Sequence, residues 1–269
     1  MTKPEQAIVQ FKDVTKTYPL PRRSPFETKR YIKALDELSL DIYEGETIGV
    51  VGESGSGKST LGRILAGLLK PDSGQVLLNG RSLSTIQGLD LHRDVQYIFQ
   101  DPKASLNEHK SVRWLLEEPL KVQTDLTREQ RTDRVHELLE ISGLSKDYLD
   151  YYPQELSGGQ AQRISILAAL MGKPSVLIAD EAVSALDVSV QAQILNFLSS
   201  LRDRFDLTMI FITHDIHVCY YMADRIAVMH EGRIVEEGPA EQVYRNPQHD
   251  YTKQLFASVL NLSKQEAAL

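Results

Sequence analysis

Gly52-Glu53-Ser54-Gly55-Ser56-Gly57-Lys58-Ser59-Thr60 decides how the rest of the chain is read. It fits G-x-x-x-x-G-K-[ST], the pattern of a phosphate-cradling loop. The run Thr47-Ile48-Gly49-Val50-Val51 before it is apolar, and Leu61, Ile64, Leu65 and Leu68 follow at helical spacing. The loop is therefore expected between a strand and a helix. Having no Cβ, its three glycines let backbone N–H groups turn inward. Those donors, with the positive end of the following helix, make a concavity for anionic oxygens. Lys58 adds a mobile charge for the outer phosphates, and the Ser59 hydroxyl can ligate Mg²⁺. A Gly/Ser-rich turn that binds nothing is the rival reading, and the flanking strand and helix count against it.

The chain has 269 residues, enough for one large domain or a core with a subdomain. Apolar residues make up 42% and charged residues 25%, ordinary values for a globular protein. The net charge of −7, from 30 basic and 37 acidic side chains, disfavours a general nucleic-acid-binding surface, and no nucleic-acid partner is expected. The single Cys219 excludes an intrachain disulfide and an all-cysteine cluster, fits a reducing compartment and is expected to pack as a small hydrophobe. No apolar run approaches the roughly 18 residues of a bilayer span. Met1-Thr2-Lys3-Pro4-Glu5 is followed by no apolar segment that reads as a secretory signal. A cytoplasmic location is expected, with any membrane attachment supplied by a partner.

Residues 7–19 alternate apolar and polar and end at Pro19, which predicts an edge strand with one buried face. Residues 20–33 carry Arg22-Arg23, Lys29-Arg30 and Lys33 with Pro21 and Pro25, and read as an exposed basic loop; contact with acidic lipid headgroups is the alternative. Residues 34–51 alternate again into the phosphate loop. Val76-Leu77-Leu78, between Gly74 and Gly80, and Val95–Phe99, ending at Gln100, read as further strands. From 101 to 170 helical periodicity takes over, in Val112–Leu120, Arg128–Leu139 and Gln160–Leu170, with polar connectors such as Asp150-Tyr151-Tyr152-Pro153. A helical insert thus splits a core of strands and helices. Strand returns at Ser175–Asp180 and Thr208–Thr213, Arg225–Met229 and Arg233–Glu237 form a hairpin, and a helix over Thr252–Leu260 closes the chain. Nearly all-apolar strands alternating with helices imply an α/β class with a parallel sheet covered on both faces.

Val176-Leu177-Ile178-Ala179-Asp180-Glu181 is an apolar strand ending in two carboxylates. In such sheets ligands lie beyond the carboxyl ends of the strands, where the phosphate loop also lies. Asp180 is placed to hold the Mg²⁺ shell. Glu181, one residue on, can face the terminal phosphate and orient or deprotonate an attacking water. An exposed acidic turn is the bland reading of the pair. Thr208–Thr213 delivers His214-Asp215 in the same way, against the common case of a histidine that is only a satisfied surface or core group. Leu156-Ser157-Gly158-Gly159-Gln160, ahead of a helix, is a second anion-friendly helix N-terminus. One nucleotide's terminal phosphate has little need of two such cradles from one subunit.

In this order the motifs resemble those of the ATP-binding-cassette (ABC) ATPases, over nearly the whole chain. The resemblance implies a Walker A loop at Gly52, Glu53, Ser54, Gly55, Ser56, Gly57, Lys58, Ser59 and Thr60, a Q-loop glutamine at Gln100, and a signature at Leu156, Ser157, Gly158, Gly159 and Gln160. It implies a Walker B strand at Val176–Asp180 with Glu181 as the catalytic glutamate, a D-loop at Ser184, Ala185, Leu186 and Asp187, a switch histidine at His214 and an adenine-stacking aromatic at Tyr18. ATP and Mg²⁺ are the implied cofactors, the metal held by Ser59, Gln100 and Asp180, with Lys58, Gln100, Glu181 and His214 acting at the phosphates. The implied fold is α/β, a P-loop NTPase core with a mixed parallel sheet, an N-terminal antiparallel β subdomain and an inserted α-helical subdomain. Within a single ABC ATPase domain spanning 1–269, residues 1–100 and 171–245 would form the nucleotide-binding core, 101–170 the helical subdomain and 246–269 a tail helix.

Tyr97-Ile98-Phe99-Gln100-Asp101-Pro102, Ser105-Leu106-Asn107 and Asn246-Pro247-Gln248-His249-Asp250-Tyr251-Thr252 resemble the oligopeptide, dipeptide and nickel importer ATPases. The basic loop between Tyr18 and Ala34 looks like the second ATPase of such systems. By that resemblance the chain hydrolyses ATP to drive uptake of peptides or of a nickel or metal-chelate cargo. It would pair head to tail with a second, related ATPase, beneath two transmembrane permease subunits served by an extracytoplasmic substrate-binding protein, as a peripheral subunit on the cytoplasmic face of the membrane. Ala182-Val183 replaces the family's usual Pro-Thr, Ala161 and Ala168 stand where polar or basic residues are common, and one cysteine leaves no C-terminal iron–sulfur cluster. An exporter ATPase and a soluble non-transport cassette protein are the alternatives. The latter usually has two cassettes in one chain or a long coiled-coil insert, and a binding-only subunit would have a degenerate Glu181 or His214.

Overall fold

The computed structural model describes residues 7–21 and 30–257. They fall into two compact units, Met1–Gln87 with Ile210–Leu269, and Gly88–Met209. In chain order the first unit supplies β1 (Ala7–Pro19), β2 (Tyr31–Tyr43), β3 (Thr47–Val51), α1 (Lys58–Leu65), β4 (Ser73–Leu78) and β5 (Arg81–Ser82). The second supplies α2 (Gly88–Asp94), β6 (Val95–Ile98), α3 (Pro102–Ser105), α4 (Val112–Gln123), α5 (Arg128–Ser142), α6 (Gly158–Leu170), β7 (Val176–Asp180) and α7 (Val188–Phe205). The chain returns to the first unit along β8 (Thr208–Thr213), followed by α8 (Ile216–Met222), β9 (Arg225–His230), β10 (Arg233–Pro239), α9 (Ala240–Arg245) and helical residues 250–257. Together they make an α/β fold: a mixed sheet containing parallel strands, an antiparallel N-terminal sheet and an inserted group of helices.

In the first unit β1 lies inside an antiparallel sheet of order β2-β1-β4-β5. It is not the edge strand that its alternation and terminal proline predict. Val9, Phe11 and Val14 fill its buried face. β2 pairs with it from Ala7↔Tyr43 to Pro19↔Tyr31, so Tyr31–Lys33 are strand, and the basic loop is shorter than expected. Of that loop's residues, Arg22, Arg23, Pro25 and Lys29 lie outside the described residues, as do Met1–Glu5 and the end of the C-terminal helix toward Leu260.

A second group of strands runs β10-β9-β3-β8. β3 and β9 are parallel from Ile48↔Arg225 to Val51↔Val228, and β9 turns into β10 as the expected hairpin. β3 is buried at every position, as its unbroken apolar run requires. Leu61, Ile64 and Leu65 bury one face of α1. Leu68 lies past the helix end and is 47% exposed, so the predicted stripe is a turn too long. Behind β3 and β9, Val51, Ile216, Cys219, Val228, Val243, Leu255 and Phe256 form one core cluster. Cys219 faces Gly49 so closely that a Cβ there would stand 2.1 Å from its Sγ. Burial pushes the thiol far above its ordinary pKa.

In the second unit β6 and β7 are parallel, from Val95↔Val176 to Ile98↔Ala179. The expected helices appear as α4, α5 and α6. α5 starts on a capping box, Thr127 with Gln130, and stops at Gly143 in the left-handed conformation. The 18-residue α7, capped by Asp187 and buried through Ile194, Leu195, Leu198 and Leu201, is an element that periodicity does not announce. Among the described residues no helix is long and apolar enough to cross a membrane.

Candidate phosphate-binding and catalytic site

Leaving β3 at Val51, the chain makes the phosphate loop and enters α1 through Gly57. Gly57 is the N-cap at φ 108°, and no side chain caps the helix. A Cβ on Gly57 would stand 2.1 Å from the Ala34 carbonyl oxygen, so this left-handed turn belongs to glycine. An N-terminus without a side-chain cap is suited to an acceptor from outside the helix. Lys58 is buried, and its Nζ donates to the carbonyls of Gly52 and Glu53, each at 2.8 Å. The loop thus curls around its own ammonium. The Gly232 N–H donates to the Ser56 carbonyl at 3.0 Å, tying the β9–β10 turn to the same loop.

Glu53, Ser54, Gly55 and Ser56, with Lys33 and His230, line a cleft of about 380 Å³. Tyr18 is half-buried on β1, opposite Ile32. His214 is exposed just beyond β8, and Asp215 after it caps α8 by accepting the N–H groups of His217 at 2.8 Å and Val218 at 3.3 Å. The donor set fits a nucleotide phosphate chain: a helix N-terminus with no cap of its own, and an ammonium whose carbonyl partners phosphate oxygens can replace.

In the second unit Gln100, Glu181 and Ser184 are in contact. Gln100 Nε2 donates to Glu181 Oε2 at 2.8 Å and to Ser184 Oγ at 3.3 Å, while Ser184 Oγ donates to the Glu181 carbonyl at 3.0 Å. Glu181 leaves β7 in the left-handed conformation, φ 48°, which ends the strand and turns the residue out of the ladder. Asp180, 6% exposed at the strand end, accepts from the Tyr97 hydroxyl. At the signature, Ser157 and Gln160 close a capping box, Ser157 Oγ accepting the Gln160 N–H at 3.3 Å and Gln160 Oε1 accepting the Ser157 N–H at 2.8 Å. Gln160 Nε2 also donates to the Tyr148 hydroxyl at 2.8 Å.

Asp187, at the end of the expected D-loop, caps α7 by accepting the Val190 N–H at 3.0 Å. That bond, with the Ser189 hydroxyl, holds its carboxyl below the usual range. Ala161, Ala182 and Val183 are buried, so the departures at these positions are apolar packing residues. Tyr97, Tyr148 and Tyr251, whose hydroxyls contact Asp180, Gln160 and Glu53, are the neighbours that sequence reasoning did not pick out.

Strand, phosphate loop and helix, followed by the Gln100, signature, Asp180-Glu181 and His214 segments in that order, define a class of nucleotide hydrolases. The chain belongs to the ABC transporter family, whose profile matches residues 35–184. It is an ATP-binding ATPase of that family. It is 48% identical over 233 residues to the oligopeptide transport ATP-binding protein OppF of Bacillus subtilis (strain 168), covering 85% of this chain and 76% of that one. It is 43% identical over 262 residues to the dipeptide transport ATP-binding protein DppF of Escherichia coli (strain K12), covering 96% and 78%. Among solved structures, the ATP-binding cassette MJ0796, in a dimeric post-hydrolysis state bound to ADP and Pi, matches with a TM-score of 0.75 at 30% identity, over 86% of this chain and 98% of its own. CbiO1 from Clostridium perfringens, part of the ABC transporter complex CbiONQ, matches with a TM-score of 0.76 at 28% identity, over 90% and 92%.

Proposed function

We propose that this chain is the ATP-hydrolysing subunit of an ABC importer that takes up peptides. The observation that carries the reading is the Gln100–Glu181–Ser184 cluster at the end of an apolar strand, in a chain 43–48% identical to peptide-transport ATP-binding proteins. Tyr18 stacks on the adenine, and the Gly52–Thr60 loop with Lys58 receives the phosphates. Ser59, Gln100 and Asp180 would hold Mg²⁺, which neutralises phosphate charge when bound. Glu181 orients the attacking water and takes its proton, and His214 donates to the terminal phosphate. Phosphoryl transfer asks mostly for such positioning and charge stabilisation.

The signature residues Leu156–Gln160 and the D-loop Ser184–Asp187 serve the nucleotide of a second cassette, a related ATPase arranged head to tail with this one. In this reading residues 1–100 and 171–245 act as the nucleotide-binding core, 101–170 as the helical subdomain, and 246–269 as a tail. Two transmembrane permease subunits hold the pair at the cytoplasmic face of the membrane, served by an extracytoplasmic substrate-binding protein.

Glu181→Gln tests the core of this reading. It keeps the shape of the side chain and removes the base, so nucleotide binding should persist while hydrolysis falls about 10²–10⁴-fold. Hydrolysis at the wild-type rate would remove Glu181 from its role. Direction is tested by reconstituting the complex in vesicles: ATP-dependent uptake that needs a binding protein is expected, and efflux without one would overturn the importer.

A further inference from the structure

The chain after α9 leads back to the phosphate loop. Glu236 on β10 accepts the N–H groups of Gln248 at 2.7 Å and His249 at 2.9 Å, which fixes the approach of helical residues 250–257. Leu255 and Phe256 anchor that helix in the core cluster that contains Val51, the residue before the loop. Tyr251, in its first turn, stacks on His230 with ring centroids 3.8 Å apart. Its hydroxyl accepts the Glu53 N–H at 3.1 Å. The carbonyl of that same peptide group, Gly52 O, accepts from Lys58 Nζ at 2.8 Å. Because a peptide group is planar and stiff, one plane is gripped at its oxygen by the lysine and at its nitrogen by the tyrosine.

We propose that Tyr251 is a positioning residue for the phosphate loop, its hydroxyl holding the Gly52–Glu53 peptide plane in place when Lys58 turns from the Gly52 carbonyl to a nucleotide. The inference rests on the nucleotide-binding reading of the loop given above. A loop with three glycines loses much backbone freedom when it orders around a ligand, and a loop already held in shape loses less on binding. The Lys58 ammonium has three N–H donors, two of them on the Gly52 and Glu53 carbonyls, so each donor turned to a phosphate loosens the grip on the loop just when the curl is needed. The nitrogen end keeps its partner. Burial, and the Glu53 carboxylate beside it, push the Tyr251 phenol above its ordinary pKa, so the hydroxyl stays neutral at working pH.

The test compares the full chain with its Tyr251→Phe and Tyr251→Ala variants by fluorescent ATP-analogue binding, steady-state hydrolysis and thermal unfolding. Phenylalanine keeps the ring on His230 and removes only the oxygen. Glu53 is exposed and water can take the vacated place, so the effect sits at the low end for a neutral hydrogen bond: roughly a threefold rise in Kd and KM, with kcat unchanged and Tm lowered by no more than about 2 °C. Tyr251→Ala, which also loses the stack, should lower Tm as well. The proposal is overturned if Tyr251→Phe matches wild type in Kd and KM, if its Tm falls as far as that of Tyr251→Ala, or if kcat alone changes. Lys58→Ala runs in parallel. Should it bind the analogue as wild type does, the nucleotide-binding reading of the loop fails instead.

Discussion

α1 and α6 both begin on glycine-rich loops, and their N-termini are finished in opposite ways. Gly57 heads α1 with no side-chain cap, over an ammonium wrapped in the loop's own carbonyls. Ser157 heads α6 with both halves of a capping box in place, and Gln160 is fastened further to Tyr148. The first N-terminus has no side-chain acceptor at its N-cap; in the second, the Ser157 and Gln160 N–H groups are satisfied by each other's side chains. A loop proposed to cradle the chain's own ligand gains by leaving its helix N-terminus without a side-chain cap. A surface proposed to close over a nucleotide held elsewhere has to keep its shape while nothing is there.

That contrast can be broken first at Gly57. Substitution by alanine forces a side chain into a left-handed turn and against the Ala34 carbonyl, and should cost about 3 kcal/mol, read by urea denaturation. A cost below about 1 kcal/mol would mean that the α1 N-terminus is not shaped by the absence of a side chain. Ser157→Ala sharpens the other half. Losing the cap should cost about 1 kcal/mol, visible as a fall in Tm, while ATP-analogue affinity of the unpaired chain stays at the wild-type level. An affinity loss there would show that the signature serves the chain's own nucleotide.

The smallest effect is a dependence on pH. Burial acts to raise the pKa of Glu236, but the hydrogen bonds it accepts outweigh burial and hold it below the usual carboxylate range, the backbone N–H groups of Gln248 and His249 among the donors. A depressed folded-state pKa means that the stabilisation is present above the ordinary carboxylate value and is lost as pH falls through the lowered one. Acidification should therefore loosen the 248–257 segment over the phosphate loop. Glu236→Gln should flatten that acid limb in a hydrogen-exchange or Tm-versus-pH series, and an unchanged limb would exclude Glu236 as its source.

The elements legible in the sequence are those whose burial leaves an unbroken mark. β3, β7 and β8 are buried at every position, and their only polar residues, Thr47, Asp180, Thr208 and Thr213, stand at strand ends. α7 is hidden because it opens with Val188-Ser189-Val190-Gln191-Ala192-Gln193, a period-two alternation that imitates a strand, and Val188 is 83% exposed. The helical stripe begins only at Ile194. Pro19 suggested an edge strand, yet β4 pairs with β1 only over Val9–Thr15, so the missing N–H falls where no β4 partner requires it. In the site, the loop, the strand-end carboxylates and the signature follow local patterns. The tyrosines do not: Tyr97 lies 83 residues from Asp180, and Tyr251 lies 198 from Glu53. Only folding brings such pairs together.

The single thiol, sealed against Gly49, gives the protein a built-in clock. Fully buried, and with its pKa raised by that burial, Cys219 is expected to react with alkylating reagents only when its surroundings open. Its alkylation rate therefore counts excursions of the first unit out of its native packing. A bound ligand that favours the closed packing slows that clock by mass action, with no label added to the chain.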